Sequence, residues 1–396
     1  MKNYKILNEE EIKKYSVEKL KAFSDISNLS CTEIGDGNLN NIFRVVDNKT
    51  NKSLIIKQAP PYARTSVEME LNAQRCKIEA MSLMEQRKYA KAMVPEVYSY
   101  DEELCAMAME DMTGHSILRT AMMEQVKFPK MAKHAATFFA NTLLRTSDVV
   151  LGNKLKKDEV ARFQNNDLCE LTENLVLTQP TFASTRNRID EYLLPFVKEN
   201  VYGNSELELA FAQLKYKFMT EAQALLHGDA HSGSMFVTQE DTKFFDTEFA
   251  FYGPMGFDIG MFTGNLIMNA CYQSANEFNE YREYVINTIM EFVDTFKQEF
   301  ILVWDEFATE HFAKESESFK EWYLEEVLKD AAGYCGCEMI RRTIGSSHVK
   351  EMDEYEDEAI KKEAQINNIT MAIELVLNPE GYVSGNQYKE LLIRHL

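Results

Sequence analysis

The chain contains no run of about eighteen uninterrupted apolar residues, the length a helix needs to cross a bilayer, so an embedded protein is not expected. Its opening residues, MKNYKILNEEEIKKY, lack the apolar core of an export signal. No internal repeat or low-complexity tract interrupts the chain. Positive charge is scarce: 43 Lys and Arg stand against 63 Asp and Glu, a formal net charge of -20. An acid excess of that size repels phosphate backbones and anionic lipid, so nucleic acid and membrane surfaces are not expected partners. The seven cysteines are odd in number, and most lie within apolar stretches. A disulfide framework is therefore not expected, and a reducing cytoplasm is the simplest setting.

What remains is a globular composition. Hydrophobic residues make up 45% of 396 residues, enough to fill more than one core, and length alone suggests roughly two or three core-bearing units. Between Cys31 and Met109 short runs rich in β-branched residues predict strands at 32–34, 41–46, 53–58, 97–100 and 104–109. Asp47-Asn48-Lys49-Thr50-Asn51 is turn chemistry between two of them. Thr65-Ser66-Val67-Glu68 reads as a capping box that would open a covering helix near residue 66, carrying Met69, Ala73, Ala80, Met81 and Met84. Beyond residue 113 the 3.6-residue period predicts long amphipathic helices at 130–146, 189–199, 206–224, 275–298, 319–342 and 359–377. Phe236-Val237 and Phe244-Phe245 read as a hairpin set among them. The expected class is α+β, with a small antiparallel sheet unit over residues 1–112 and a larger helical unit over 113–396.

Three constellations carry chemistry. Leu225 to Ser234, LLHGDAHSGS, is an apolar approach followed by residues that helices tolerate poorly, hence a loop able to present Asp229 to a cleft. A surface turn with an Asx cap reads equally well from composition. Phe244-Phe245-Asp246-Thr247-Glu248-Phe249 places two acids one residue apart after an apolar strand. In an extended chain they would face one way, and paired hard oxygen ligands beside a phosphate suit Mg²⁺. Third comes Gly35-Asp36-Gly37-Asn38-Leu39-Asn40 between strands, with Lys57 one hairpin on. Such glycines let backbone N–H groups approach a phosphate that a lysine can reach. Glycine turn, strand lysine, helix acid, HGD and DxE occur in the order of a kinase phosphoryl-transfer apparatus.

HGDxHxGS followed by DxEFAFYGPxGFDIG, with GDGNLN and IIKQAxPYAR upstream, resembles the 5-methylthioribose kinases, relatives of choline kinases and aminoglycoside phosphotransferases. The similarity runs from about residue 30 to the C-terminus. It implies a protein-kinase-like fold, ATP and Mg²⁺ as cofactors, and a homodimer. It further implies that Asn40, Lys57, Glu79, Glu110, Asp111, Met112, Asp246, Thr247 and Glu248 meet the nucleotide. Within that set Glu79 would pair with Lys57, 110–112 would form the adenine-binding hinge, and Asp246 and Glu248 would hold Mg²⁺. Asp229 would be the catalytic carboxylate, and Arg341 and Arg342 would resemble the family's twin arginine at the sugar. His231 is a neighbour of that substrate site. Locally, Arg341-Arg342 also reads as a helix C-terminus lined by cations before Gly345. Ser234 stands where aminoglycoside and choline kinases keep a metal-binding Asn, which favours the narrower family.

Competing readings are weaker. His227 and His231 could suggest a shared Zn²⁺, but the loop lacks the helical spacing that would aim both rings at one ion, and a buried structural role suits His227 better. Cys335-x-Cys337 reads as helical core. A kinase of choline, homoserine or an aminoglycoside, or a non-catalytic pseudokinase, remains as an alternative function. Lys57, Asp229, Asp246 and Glu248 are all present, which speaks against the last.

Overall fold

A computed structural model describes residues 4–34, 40–63 and 66–396. By backbone contacts the chain divides into two compact units, one of residues 1–115 with 243–250, the other of 116–242 with 251–396. The first unit opens on α1 (Glu9–Glu18), closed by a reciprocal cap in which Asn8 accepts from the N–H of Glu11 and the Glu11 carboxylate accepts from the N–H of Asn8. Strands β1 (Leu29–Glu33), β2 (Asn41–Asp47) and β3 (Ser53–Gln58) follow, with β4 (Tyr62–Ala63), β5 (Ser66–Glu70), helix α2 (Arg75–Tyr89), β6 (Val97–Asp101) and β7 (Ala106–Met109). Five of these strands form one antiparallel sheet in the order β1-β2-β3-β7-β6. In the β2–β3 turn the Asp47 carboxylate accepts from the N–H of Lys49 and the hydroxyl of Thr50, and Asn51 takes a left-handed φ of 57°.

β3 is the central strand, buried on both faces, and its register sets Ile56 between Phe43 and Ala108. Those residues, with Val45, Leu54, Ile12 and Tyr15, make the core of the unit. The helix expected from residue 66 is corrected: residues 66–70 form β5, paired with β4, and α2 begins only at Arg75. Val67 and the alternating pattern around it suit a strand as well as a first helical turn, and pairing with β4 decides between them. The glycine segment 35–39 and Thr65 of the expected capping box lie outside the described residues.

The second unit begins with β8 (Ser116–Ile117) and α3 (Leu118–Met123), then α4 (Met131–Arg145), α5 (Asn153–Arg162), α6 (Asn166–Leu175), α7 (Leu194–Asn200) and α8 (Ser205–Thr220). Short strands β9 (Ala224–Leu225), β10 (Met235–Val237), β11 (Thr242–Phe244) and β12 (Tyr252–Gly253) surround the loop of interest, so both strands of the expected hairpin form. Helices α9 (Met255–Ala275), α10 (Asn279–Phe307), α11 (His311–Glu315), α12 (Glu317–Ile344), α13 (Lys350–Asp353), α14 (Glu358–Leu377) and α15 (Gly385–His395) complete the chain. The expected segment 189–199 is helical only from Leu194, and 206–224 ends at Thr220 because Ala224 joins β9. Phe139 of α4, Phe262 of α9 and Phe292 of α10 meet edge to face or tilted, with ring centroids 4.8 to 6.0 Å apart.

Among the described residues α9 is the longest helix that periodicity does not predict. Three glycines, 256, 260 and 264, recur every fourth residue along it and lower its intrinsic preference by about 1 kcal/mol each relative to alanine. They also let α12 approach: a Cβ on Gly260 would lie 2.5 Å from the carbonyl oxygen of Ala331 and 2.7 Å from the backbone N of Cys335. Cys335 and Cys337 sit fully buried at this crossing, as expected of helical core. The chain is thus α+β, with an antiparallel sheet and one long helix in the first unit and a mainly helical second unit. Among the described residues no helix is long and apolar enough to cross a membrane.

Candidate active site

In the first unit β3 aims Lys57 at a group of acids. Its ammonium lies 2.9 Å from Glu79 Oε1 and 2.8 Å from Oε2, and it also contacts the Asp246 carboxylate. Glu248 is held separately, accepting from Asn40 Nδ2 at 2.8 Å and facing Arg75 Nε at 3.3 Å. Lys57, Glu79 and Glu248 are buried, whereas 36% of the Asp246 side chain is exposed. Asp246 is therefore the acid that reaches solvent. The geometric ground for grouping Asp246 with Glu248 needs correction. Asp246 is not extended but left-handed, with φ at 67°, a conformation that costs a non-glycine residue about 1–3 kcal/mol and that clusters at functional sites. The two acids reach the lysine's surroundings through this turn, not through strand alternation. Thr247 points away into structure, its hydroxyl donating to the Glu79 carbonyl at 3.3 Å.

Three carboxylates thus face two cations, Lys57 and Arg75. Burial opposes the charge of Lys57, but Asp246, Glu79 and Glu248 outweigh it and hold the ammonium well above its usual range. Burial pushes Glu79 up to about 8, with Lys57 pulling it down and Asp246 and Glu248 pushing it further up. Glu248 is raised likewise by burial. Three carboxylates crowded together oppose one another's ionisation, and a bound cation would relieve that, so the set fits a divalent ion. Among the described residues no three His, Cys, Asp or Glu side chains gather as a metal cage. Such an ion would rest on Asp246, Glu248 and a nucleotide's own phosphates, the sparse protein ligation that suits Mg²⁺.

The expected hinge residues follow β7. The Glu110 N–H donates to the Glu96 carbonyl at 2.8 Å, and its carboxylate accepts from the Glu96 N–H at 3.0 Å. Asp111 is tied locally, accepting from Arg44 Nε at 2.7 Å and from the N–H and hydroxyl of Thr113. Met112 is buried, and its carbonyl accepts from the His115 N–H. The side chains of 110 and 111 are thus occupied within the unit.

In the second unit the loop after β9 is pinned by Asp258, near the start of α9. Its carboxylate accepts the N–H of His227 at 2.6 Å and of Gly228 at 3.0 Å, and Gly228 turns at a φ of 83° that only glycine adopts readily. His227 is fully buried, and its Nδ1 accepts from the Asp229 N–H at 3.4 Å, the structural role expected for it. Asp229 is presented beyond this anchor with a quarter of its side chain exposed. His231 Nδ1 accepts from the Gly233 N–H at 2.9 Å, so the ring proton sits on Nε2, 3.2 Å from Asp229 Oδ2.

Arg341 and Arg342, in the last turns of α12, are both drawn in by one fully buried acid. Glu338 accepts from Arg341 Nη2 at 2.7 Å and from Arg342 Nε at 2.7 Å. Arg342 also donates to the Ser347 carbonyl at 2.9 Å and leaves Nη2 3.9 Å from Asp229 Oδ1. Burial alone would raise Asp229, but His231, Arg342 and Arg341 outweigh it and hold the carboxyl far below the usual range. Burial, Arg119 and Arg342 in turn push His231 downward against Asp229. At neutral pH the ring is then uncharged, and its Nε2–H together with the two arginines favours the ionised Asp229. The sequence reading missed Arg75, Arg119, Asp258, Asn265 and Glu338. Glu338 left a local signal, lying three and four residues before the two arginines on one helix, and Asp258 lies within the run DxEFAFYGPxGFDIG.

The sheet unit thus holds a lysine–acid cluster and the helical unit an aspartate beside arginines, residue types that group transfer employs. The model of the phosphotransferase enzyme family matches residues 30–283. A methylthioribose kinase of Bacillus pumilus (strain SAFR-032) is 41% identical over 336 residues, 85% of this chain and 83% of that protein. One from Geobacillus sp. (strain WCH70) is 39% identical over 374 residues, 94% of this chain and 92% of that protein. The chain belongs to the methylthioribose kinase family within the phosphotransferases. Among solved structures, a choline kinase from Cryptosporidium parvum Iowa II aligns at 12% identity with a TM-score of 0.49, over 97% of this chain and 92% of that one.

Proposed function

We propose that the chain transfers the γ-phosphoryl group of ATP to the 1-hydroxyl of 5-methylthioribose, giving 5-methylthioribose 1-phosphate in methionine salvage. The bond from the sugar oxygen to phosphorus forms, the bond from phosphorus to ADP breaks, and the hydroxyl proton passes to Asp229. The observation that carries this reading is the setting of Asp229, a partly exposed carboxylate beside a neutral His231 and Arg342, with Arg341 adding to the positive field. Arginines repel a cationic acceptor such as choline or an aminoglycoside and donate readily to the oxygens of a neutral sugar.

Lys57 contributes fixed positive charge to the nucleotide phosphates, with Glu79 holding its ammonium in place. Asn40 fixes Glu248, while Asp246 offers the accessible carboxylate. Mg²⁺ on Asp246 and Glu248 would supply neutralisation of the phosphate oxygens. Because the arginines make Asp229 a weak base, its first task is to orient the hydroxyl, and the proton reaches it late, as a loose phosphoryl-transfer transition state allows. Arg341 and Arg342, aimed by Glu338, would hold the sugar. The backbone of 110–112 would meet adenine. Resemblance to the family further supports a cytoplasmic homodimer, and sedimentation at the mass of one protomer would remove the dimer.

ATP consumption measured against methylthioribose, ribose, choline and an aminoglycoside tests the acceptor, with methylthioribose expected to be preferred. Asp229→Ala is expected to lower kcat by about 10² to 10⁴-fold while ATP binding by calorimetry survives. Turnover within about tenfold of the unaltered protein would remove Asp229 from the chemistry.

A further inference from the structure

A third arginine adjoins Asp229 from a different element. Arg119 of α3 donates through Nη2 to Asn265 Oδ1 at 2.6 Å, and Asn265 donates in turn to Glu338 at 3.3 Å. Its Nε faces Glu351 of α13 across 3.7 Å, too far for a hydrogen bond, and both Nε and Glu351 Oε2 lack a hydrogen-bond partner among the described residues. Nη1 likewise makes no hydrogen bond to a described residue and is not among the buried unpaired atoms, and 17% of the side chain is exposed. That nitrogen lies 3.0 Å from where a Cβ would stand on Gly233, the same point that the His231 ring approaches to 2.8 Å. Gly233 thus brings Arg119 up beside the imidazole that contacts Asp229.

The charges of this cluster already balance, with Arg119, Arg341 and Arg342 against Asp229, Glu338 and Glu351. A bare anion is not called for. An open N–H on a compensated guanidinium fits a neutral oxygen that accepts a hydrogen bond, and a sugar bound through its reacting hydroxyl at Asp229 carries such oxygens on neighbouring ring carbons. We propose that Arg119 is a third substrate-site arginine, donating through Nη1 to a ring hydroxyl of the acceptor other than the one that is phosphorylated, with Asn265 and Glu351 as positioning residues. This rests on the reading of the acceptor as a pentose.

The test is a cycle between Arg119→Gln and acceptors lacking one ring hydroxyl. The unaltered protein is first assayed with methylthioribose, ribose and their 2-deoxy and 3-deoxy counterparts, and its rate on methylthioribose bears on the acceptor's identity alone. Arg119 is then judged on whichever of the two pentoses is turned over faster. For one of its deoxy forms, kcat/KM should fall by about 10- to 100-fold in the unaltered protein, the size of a hydrogen bond to a charged group. In Arg119→Gln that penalty should shrink to within about threefold, with the KM for ATP unchanged. An undiminished deoxy penalty in the variant, or an equal loss on ATP and sugar, would overturn the proposal. Should the Gln variant fail to fold, Arg119→Lys, which keeps a charge opposite Glu351, carries the same comparison with the same two outcomes.

Discussion

His231 shows how neighbours set the chemistry of a side chain. An isolated imidazole titrates near neutrality, but burial, Arg119 and Arg342 depress this one below its ordinary 6.5 while Asp229 pulls the other way. A histidine whose folded value is depressed takes a proton more readily in the unfolded chain. Its contribution to stability is therefore complete above pH 6.5 and is lost as pH falls through the lower folded value. Urea unfolding of the native chain should lose more free energy between about pH 7 and about pH 5 than unfolding of His231→Gln does. Parallel pH dependences would show that the ring is not so held. At this scale the motif residues Lys57, Asp229, Asp246 and Glu248 are legible, because phosphoryl transfer needs those types in that order. Arg119 is not legible, for nothing near it in the chain marks the loop of His231 and Gly233 that it meets.

At the scale of elements, the α9–α12 crossing fixes both halves of the proposed acceptor site, since α9 carries Asp258 and Asn265 and α12 carries Glu338 and the two arginines. Gly260→Ala would drive a methyl into the backbone of Ala331 and Cys335, which cannot rotate aside as a side chain could. We expect a loss of about 1–3 kcal/mol in unfolding free energy, checked by urea titration. A variant as stable as the native chain would show that the helices part freely here. Helices α4, α12 and α14 follow from their apolar period, whereas α9, apolar almost all round and broken by glycines, has no face for periodicity to find. At β5 the same kind of ambiguity went the other way, with a capping pattern overridden by strand pairing.

Taken whole, the molecule carries a net charge of -20, yet the nucleotide proposed for it is an anion. The first-unit cluster does not reverse that field, since Asp246 and Glu248 already match Lys57 and Arg75. Association of ATP with the protein should therefore speed up as ionic strength rises from about 10 to about 150 mM at fixed Mg²⁺, because salt screens the repulsion. Stopped-flow measurement of the association rate checks this; a rate that falls with salt would mean that local cations dominate the approach. Residues 243–250 also belong by contacts with the first 115, a return of the chain that no shift in composition announces.

From its sequence alone the chain's class, most of its longer helices and the group Lys57, Glu79, Asp246 and Glu248 could be read, since side-chain periodicity, turn chemistry and motif spacing are properties of neighbouring residues. Folding in three dimensions decided the rest: the left-handed turn at Asp246, the burial of Glu338 beneath two arginines, and the meeting of Arg119 with His231 and Glu351. Charges desolvated together must be balanced by whichever partners the fold supplies, and those partners lie tens to hundreds of residues apart.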